Sequence, residues 1–258
     1  MNQITDTVKQ LIIVNVIIFI ATHFVPFVAD YFPLYYIENP NFRLWQPLTH
    51  MFMHANILHN PKNIMHIFFN MFALYSFGSV LEQIWGAKKF FWFYILCGLG
   101  AAVLHTAVNY WQFHDGLNAL VLNGFNENDI VKTLSQGMID TRWQDVVSMP
   151  KIQGMVSSFL ATAVGASGAI YGLLVAFAFM FPNAGLSLMF IPVPIKAKYF
   201  VPGILLLDLF LGFKGSSIFG GGTGIAHFAH IGGALVGFLL MWSWKKNQFD
   251  QYRWDRRN

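Results

Sequence analysis

Gly165-Ala166-Ser167-Gly168 opens an apolar run that continues from Ala169 to Phe181, and Ala229-His230-Ile231-Gly232-Gly233 stands near the start of a second, Ile225 to Trp244. Both runs are too apolar to be anything but membrane spans. A hydroxyl and an imidazole are therefore committed to hydrocarbon surroundings. Ionisable groups there are costly, and they mark functional sites by default.

The rest of the chain fits that setting. Of 258 residues, 55% are apolar and only 11% charged, against about 25% charged in an average soluble domain. Apolar windows fall at 11–28, 64–81, 90–111, 158–181, 199–213 and 225–244. A span needs about 20 mainly apolar residues. The fifth window is short, although Leu186 to Ile195 adds apolar residues upstream, interrupted by Pro192 and Pro194. The expected fold is an all-α membrane protein with six transmembrane helices in a single membrane domain, 1–258. No small-residue cleavage site follows Val28, so the first window reads as a retained helix rather than a signal peptide. The lone cysteine, Cys97, excludes a disulfide framework and reads as a packing residue.

Charge sets an orientation. With the N-terminus inside, the inner segments carry Lys9, Lys88, Lys89, Lys196, Lys198 and the five basic residues of the tail 245–258. The outer segments carry Arg43, Lys62, Lys132, Arg142, Lys151 and Lys214, spread over far more chain. This bias favours cytoplasmic termini. The net charge of +4 reads as a tail beside anionic lipid, with no nucleic-acid partner. Two outer connections are long: 29–63, rich in aromatics and histidines, and an enlarged loop, 112–157, in which Val131 to Met138 is expected to form a short amphipathic helix.

Under this topology the second, fourth and sixth helices all run from outside to inside. His230 then lies roughly 8 Å below its entry point, at 1.5 Å per residue. His66, Asn70 and Ser167 fall at a comparable level. His66 and Asn70 are four apart and share a helix face, as do Ser167 and Tyr171. Gly168 with Gly172, and Gly233 with Gly237, are small pairs that let helix backbones approach closely. Singly, each feature has a bland reading: GxSG is a weak motif, a lone histidine can bond a carbonyl, and His66 and Asn70 can be interhelical glue. Their agreement in depth favours a hydrolase that works inside the bilayer.

Four stretches together resemble the rhomboid family of intramembrane serine proteases: Trp45-Gln46-Pro47-Leu48-Thr49-His50-Met51-Phe52-Met53-His54; His66-Ile67-Phe68-Phe69-Asn70; Gly165-Ala166-Ser167-Gly168 with Tyr171; and Ala229-His230-Ile231-Gly232-Gly233. The resemblance implies a six-helix peptidase core over about 42–244 that cleaves transmembrane segments of membrane proteins. It makes Ser167 the nucleophile and His230 the general base of a dyad with no third acid. His66 and Asn70 would stabilise the oxyanion, Tyr171 would stack on the base, and Gly165 and Gly168 would support the serine. It implies no cofactor and no metal. A bacterial cytoplasmic membrane fits, with the active site opening to the outer side.

Some features depart from that pattern or compete with it. The order Arg43-Leu44-Trp45 differs from the Trp-Arg pair of many members. His59 competes with His66, but Pro61 disfavours a helix beginning before it. His227, one turn before His230, is a rival base. Asp208 is read as a cap or a local hydrogen-bonding residue, not the third member of a triad. The run Gly220-Gly221-Gly222-Thr223-Gly224, with Phe219, is either a mobile cap over the site or an ordinary connector. A catalytically inactive client-binding protein of the same fold is one alternative. Metal binding through His50, His54 and His59 is another, with His50 and His54 able to share a helix face.

Overall fold

The structure, a computed structural model, describes residues 3–55, 61, 63–187, 193–214 and 225–251. The first helix, α1, is Asp6–Phe24, and a separate short helix α2, Pro26–Tyr31, follows it. The window expected at 11–28 thus starts earlier and ends sooner. Pro26 forces the break: the residue before a proline avoids the helical region, and Val25 is extended at φ −122° and ψ 96°.

The first long connection folds into α3 (Gln46–Thr49) and a 3-10 turn, His50–Phe52. Helix α4 (Asn63–Ala73) starts two residues past Pro61 and passes through a π-turn, Leu74–Gly78, into α5 (Ser79–Trp85). Gly86, at φ +77°, ends it. Helix α6 (Ala87–Leu122) then runs for 36 residues, about 54 Å at 1.5 Å per residue. That exceeds the roughly 30 Å of bilayer hydrocarbon, so α6 projects beyond it. Asp6–Phe24, Asn63–Trp85 and Ala87–Leu122 are each long and apolar enough to cross a membrane.

The region 112–157 is not the loop expected. Its first part belongs to α6, and α7 (Glu127–Ser135), a 3-10 turn (Thr141–Asp145) and α8 (Met149–Leu160) occupy most of the rest. The short amphipathic helix is real but begins earlier than 131, because Asn126 caps it: its side chain accepts the Asn128 N–H at 2.9 Å. A second apolar cluster forms here, where Phe113, Leu117 and Leu120 of α6 meet Trp143, Met155 and Phe159.

The window at 158–181 is also not one helix. It breaks between α8 and α9 (Ser167–Met180). A two-stranded antiparallel hairpin follows, β1 (Gly185–Leu186) with β2 (Ile195–Lys196). Helix α10 is Ala197–Lys214, and α11, Ile225–Gln251, continues as helix into the basic tail.

Helices α6, α9 and α11 pack against one another, and glycines set how close they come. A Cβ on Gly233 would collide with the Gly168 carbonyl, and one on Gly237 would lie 2.8 Å from the Gly172 Cα. Cys97 of α6 fills the space facing Gly172 and is fully buried. In lipid, where apolar surface gains little by leaving its solvent, such van der Waals contact is the main attraction between helices.

Candidate active site

The segment before α9 is pulled out of helix by the first long connection. Leu34 and Ala163 exchange two backbone hydrogen bonds, at 3.0 and 2.9 Å, and the Gly165 N–H donates to the His50 carbonyl at 3.0 Å. Gly165 itself has φ +130°, a conformation essentially confined to glycine. The helix therefore begins abruptly at Ser167. The first N–H groups of a helix have no partner within it and carry the positive end of its dipole.

Ser167 Oγ lies 2.9 Å from His230 Nε2. Both residues are only partly buried, whereas Gly168, Ala169 and Ile170 beside the serine are fully buried. The Tyr171 ring, one turn further along α9, stacks on the imidazole with centroids 4.2 Å apart and planes 8° from parallel. His230 Nδ1 is 3.3 Å from Asp208 Oδ1. With Nδ1 donating to the carboxylate, Nε2 is bare and accepts the Ser167 hydroxyl hydrogen.

Asp208 does not bond locally, contrary to expectation. It is buried on α10, and its partners, His227 and His230, are both on α11. His227 Nδ1 meets the same Oδ1 in a very short contact. Both histidines thus turn Nδ1 to the acid, and His230 also reaches the serine through Nε2. One ligand atom from each of Asp208, His227 and His230 lies within 4.8 Å of the others, close enough for a divalent cation to use.

His66 joins the group from α4. A Cβ on Gly165 would sit 3.1 Å from His66 Nε2 and 3.5 Å from Ser167 Oγ, so the missing side chain lets imidazole and hydroxyl share one space. Asn70 is buried one turn on, its amide donating to the His66 carbonyl at 2.7 Å. The structure therefore brings Ser167, His230, Tyr171, Gly165 and His66 together, with Asn70 one turn behind.

His50 and His54 do not share a helix face, since the 3-10 turn ends at Phe52. His50 Nδ1 donates to the Gln46 carbonyl at 3.0 Å, and burial pushes its pKa down to about 4. His54 packs its ring 5.2 Å from that of His66. Burial, then the nearby His66, lower its pKa to about 3. His59, Phe219 and the run 220–224 lie outside the described residues.

Sequence reasoning gave Gln46 no role of its own, yet it organises the first connection. Fully buried, it donates to the carbonyls of Tyr31 and Asn41 and accepts the Tyr35 N–H. The inverted Arg43-Leu44-Trp45 order finds its own contacts. Arg43 donates to the carbonyls of Pro40 and Phe42, and the Trp45 indole to that of Tyr31.

A family described as the Rhomboid domain matches residues 41–122 and 135–247. The chain belongs to the rhomboid family. Two curated relatives agree with that placement. The mitochondrial Rhomboid protein 1 of Saccharomyces cerevisiae is 25% identical over 181 residues, covering 70% of this chain and 38% of that protein. Rhomboid protease AarA of Providencia stuartii is 26% identical over 206 residues, covering 76% of this chain and 54% of that protein. The chain thus spans 38% to 54% of the length of these relatives. The stretch left out of the rhomboid match, 123–134, holds most of α7.

Proposed function

We propose that this rhomboid-family chain is an intramembrane serine endopeptidase that cleaves transmembrane segments of other membrane proteins. The observation that carries the reading is the 2.9 Å contact between Ser167 Oγ and His230 Nε2. The name of the Providencia relative, a rhomboid protease, points the same way.

The chemistry follows from the site. His230 Nε2 takes the Ser167 proton as Oγ attacks a peptide carbonyl, and the carbonyl electron pair moves onto oxygen. The Ser167 N–H at the start of α9, His66 beside the serine and the Asn70 amide one turn behind are the donors that would hold the developing oxyanion. Each such donor is typically worth about 2.7–4 kcal/mol in the transition state. Collapse breaks the C–N bond, His230 returns its proton to the leaving amine, and water later hydrolyses the acyl-enzyme.

Depth supports an intramembrane site. Helix α9 has 14 residues, about 21 Å at 1.5 Å per residue, which is shorter than the roughly 30 Å hydrocarbon layer. With its Met180 end near one surface, Ser167 sits about 9 Å beneath the other. In this reading six spans form one domain, both termini are cytoplasmic, and the site opens to the opposite side.

The test is cleavage of a transmembrane reporter by the purified protein in liposomes, with the cut mapped by mass spectrometry. Wild-type protein should cut and label with a serine-directed fluorophosphonate, and Ser167→Ala should do neither. Full cleavage by Ser167→Ala would overturn the assignment. Intact reporter and no labelling with wild-type protein would favour an inactive client-binding role.

A further inference from the structure

The Asp208 carboxylate touches the far side of the imidazole that touches Ser167. Oγ, Nε2, Nδ1 and Oδ1 form one line of contacts, at 2.9 Å on the serine side and 3.3 Å on the acid side. The resemblance implied a dyad with no acid; this chain has one within reach. We propose that Asp208 is a positioning residue for His230, fixing the tautomer and ring orientation in which Nε2 can act as base. This inference rests on the proteolytic reading above.

An imidazole can carry its single proton on either nitrogen, and only the form with Nε2 bare can accept from the serine. A carboxylate facing Nδ1 selects that form. As His230 takes the Oγ proton it becomes imidazolium, and Asp208 then faces a full positive charge. The Nδ1 hydrogen stays on His230 throughout, and no proton passes to Asp208. The 3.3 Å separation suits a resting site, because catalytic hydrogen bonds often tighten only when substrate binds.

The surroundings hold the acid in place. Asp208 is 4% exposed and His227 is 7% exposed, and the His227 contact pins the same oxygen that faces His230. Gly212, one turn beyond Asp208 on α10, lets α11 approach: a Cβ there would meet the Phe228 ring at 3.0 Å and His227 Cβ at 3.5 Å. Tyr171 covers one imidazole face. His230 is thus restrained at both nitrogens and on a face. A carboxylate among the apolar residues of α10 is expensive without partners, and its partners here are His227 and the base itself.

The test combines kinetics with a readout that needs no turnover. Asp208→Asn should lower kcat by about 10²–10⁴-fold, with KM within about twofold. Asp208→Glu should recover part of the loss, and the Asn variant should shift the pH–rate profile. In 15N-histidine NMR of the Ser167→Ala protein, His230 should carry its proton on Nδ1; adding Asp208→Asn should release it to a mixture. Asp208→Asn with kcat within about threefold of wild type overturns the proposal, and so does a wild-type His230 protonated on Nε2, whether or not the variant folds. Stoichiometric zinc in the purified protein, lost in His227→Ala, also overturns it, because the acid would then be a metal ligand. Failure of wild-type protein to cut any reporter would sink the proteolytic reading instead, and the NMR would still decide the Asp208–His230 link.

Discussion

The Tyr171 ring lies flat on the His230 imidazole, with centroids 4.2 Å apart and planes within 8° of parallel. The stack restrains the ring without using either nitrogen, so the phenol hydroxyl is dispensable for it. Aromatic pairs contribute about 0.5–1.5 kcal/mol beyond their buried area. Tyr171→Phe keeps the stack and gives up only the hydroxyl beside Asp208, so it should lose a few-fold in kcat/KM at most, whereas Tyr171→Ala should lose roughly tenfold as His230 gains freedom. Reporter cleavage by the two variants checks this. Equal losses would show that the hydroxyl matters more than the stack.

Gly165 answers to two demands at once. Its φ of +130° excludes a Cβ on conformational grounds, and a Cβ would also press to 3.1 Å from His66 Nε2. Gly165→Ala should cost about 1–3 kcal/mol of stability from backbone strain alone. Activity should fall further than stability, because the His66 ring must move from the serine. Thermal unfolding and cleavage measured together separate the two effects. Removing the clash with His66→Ala should leave the loss of stability in place.

The helix seam makes a paired prediction. Gly233→Ala puts a methyl into the Gly168 carbonyl, which is backbone and cannot swing aside. Overpacking of this kind typically costs about 1–3 kcal/mol, and it would also part the helices that carry Ser167 and His230. Gly203→Ala on α10 meets nothing within 4 Å, and it should be neutral or stabilising by about 0.5–1 kcal/mol. Thermal unfolding in detergent should lower the midpoint for Gly233→Ala alone. Equal behaviour would mean that the seam is looser than the structure has it.

Much of this site was legible because its residues are expensive where they stand. Ser167, His230, His66 and Asn70 interrupt apolar runs at matched depth, and the glycine pairs reveal which helix faces meet. A link from Asp208 to His230 is weighed in the sequence and set aside for a local role, because local spacing says nothing about a partner 22 residues away. A signal was present nonetheless: an acid among the apolar residues of α10 needs a partner, and His227 and His230 lie one turn apart on the next helix. The break before α9 was missed because hydropathy sums over Ala161–Ala166 without registering the hydrogen bonds that draw that segment to Leu34 and His50. The reach of α6 was missed for a related reason. Its last turns bury Leu117 and Leu120 against Trp143 and Phe159, and only the folded partner makes that stretch worth keeping helical.

Acid should weaken the fold through the first connection. His50 is buried, donates to the Gln46 carbonyl, and has its pKa lowered from 6.5 to about 4 by burial. His54 is lowered in the same direction, to about 3. As pH falls, the unfolded chain takes up these protons before the folded one does. The stability contributed is therefore complete above about pH 6.5 and is lost progressively as pH falls towards the folded values. For His50 the loss is on the order of 3 kcal/mol once pH is below about 4, and a substantial part of it is gone by roughly pH 5.5. Unfolding midpoints in detergent should drop across that interval, and His50→Asn, which has nothing to protonate, should show a shallower drop even if less stable at neutral pH. A midpoint flat from about pH 7 to 4.5, or a slope that His50→Asn leaves unchanged, would mean that protonation of His50 does not govern the acid response.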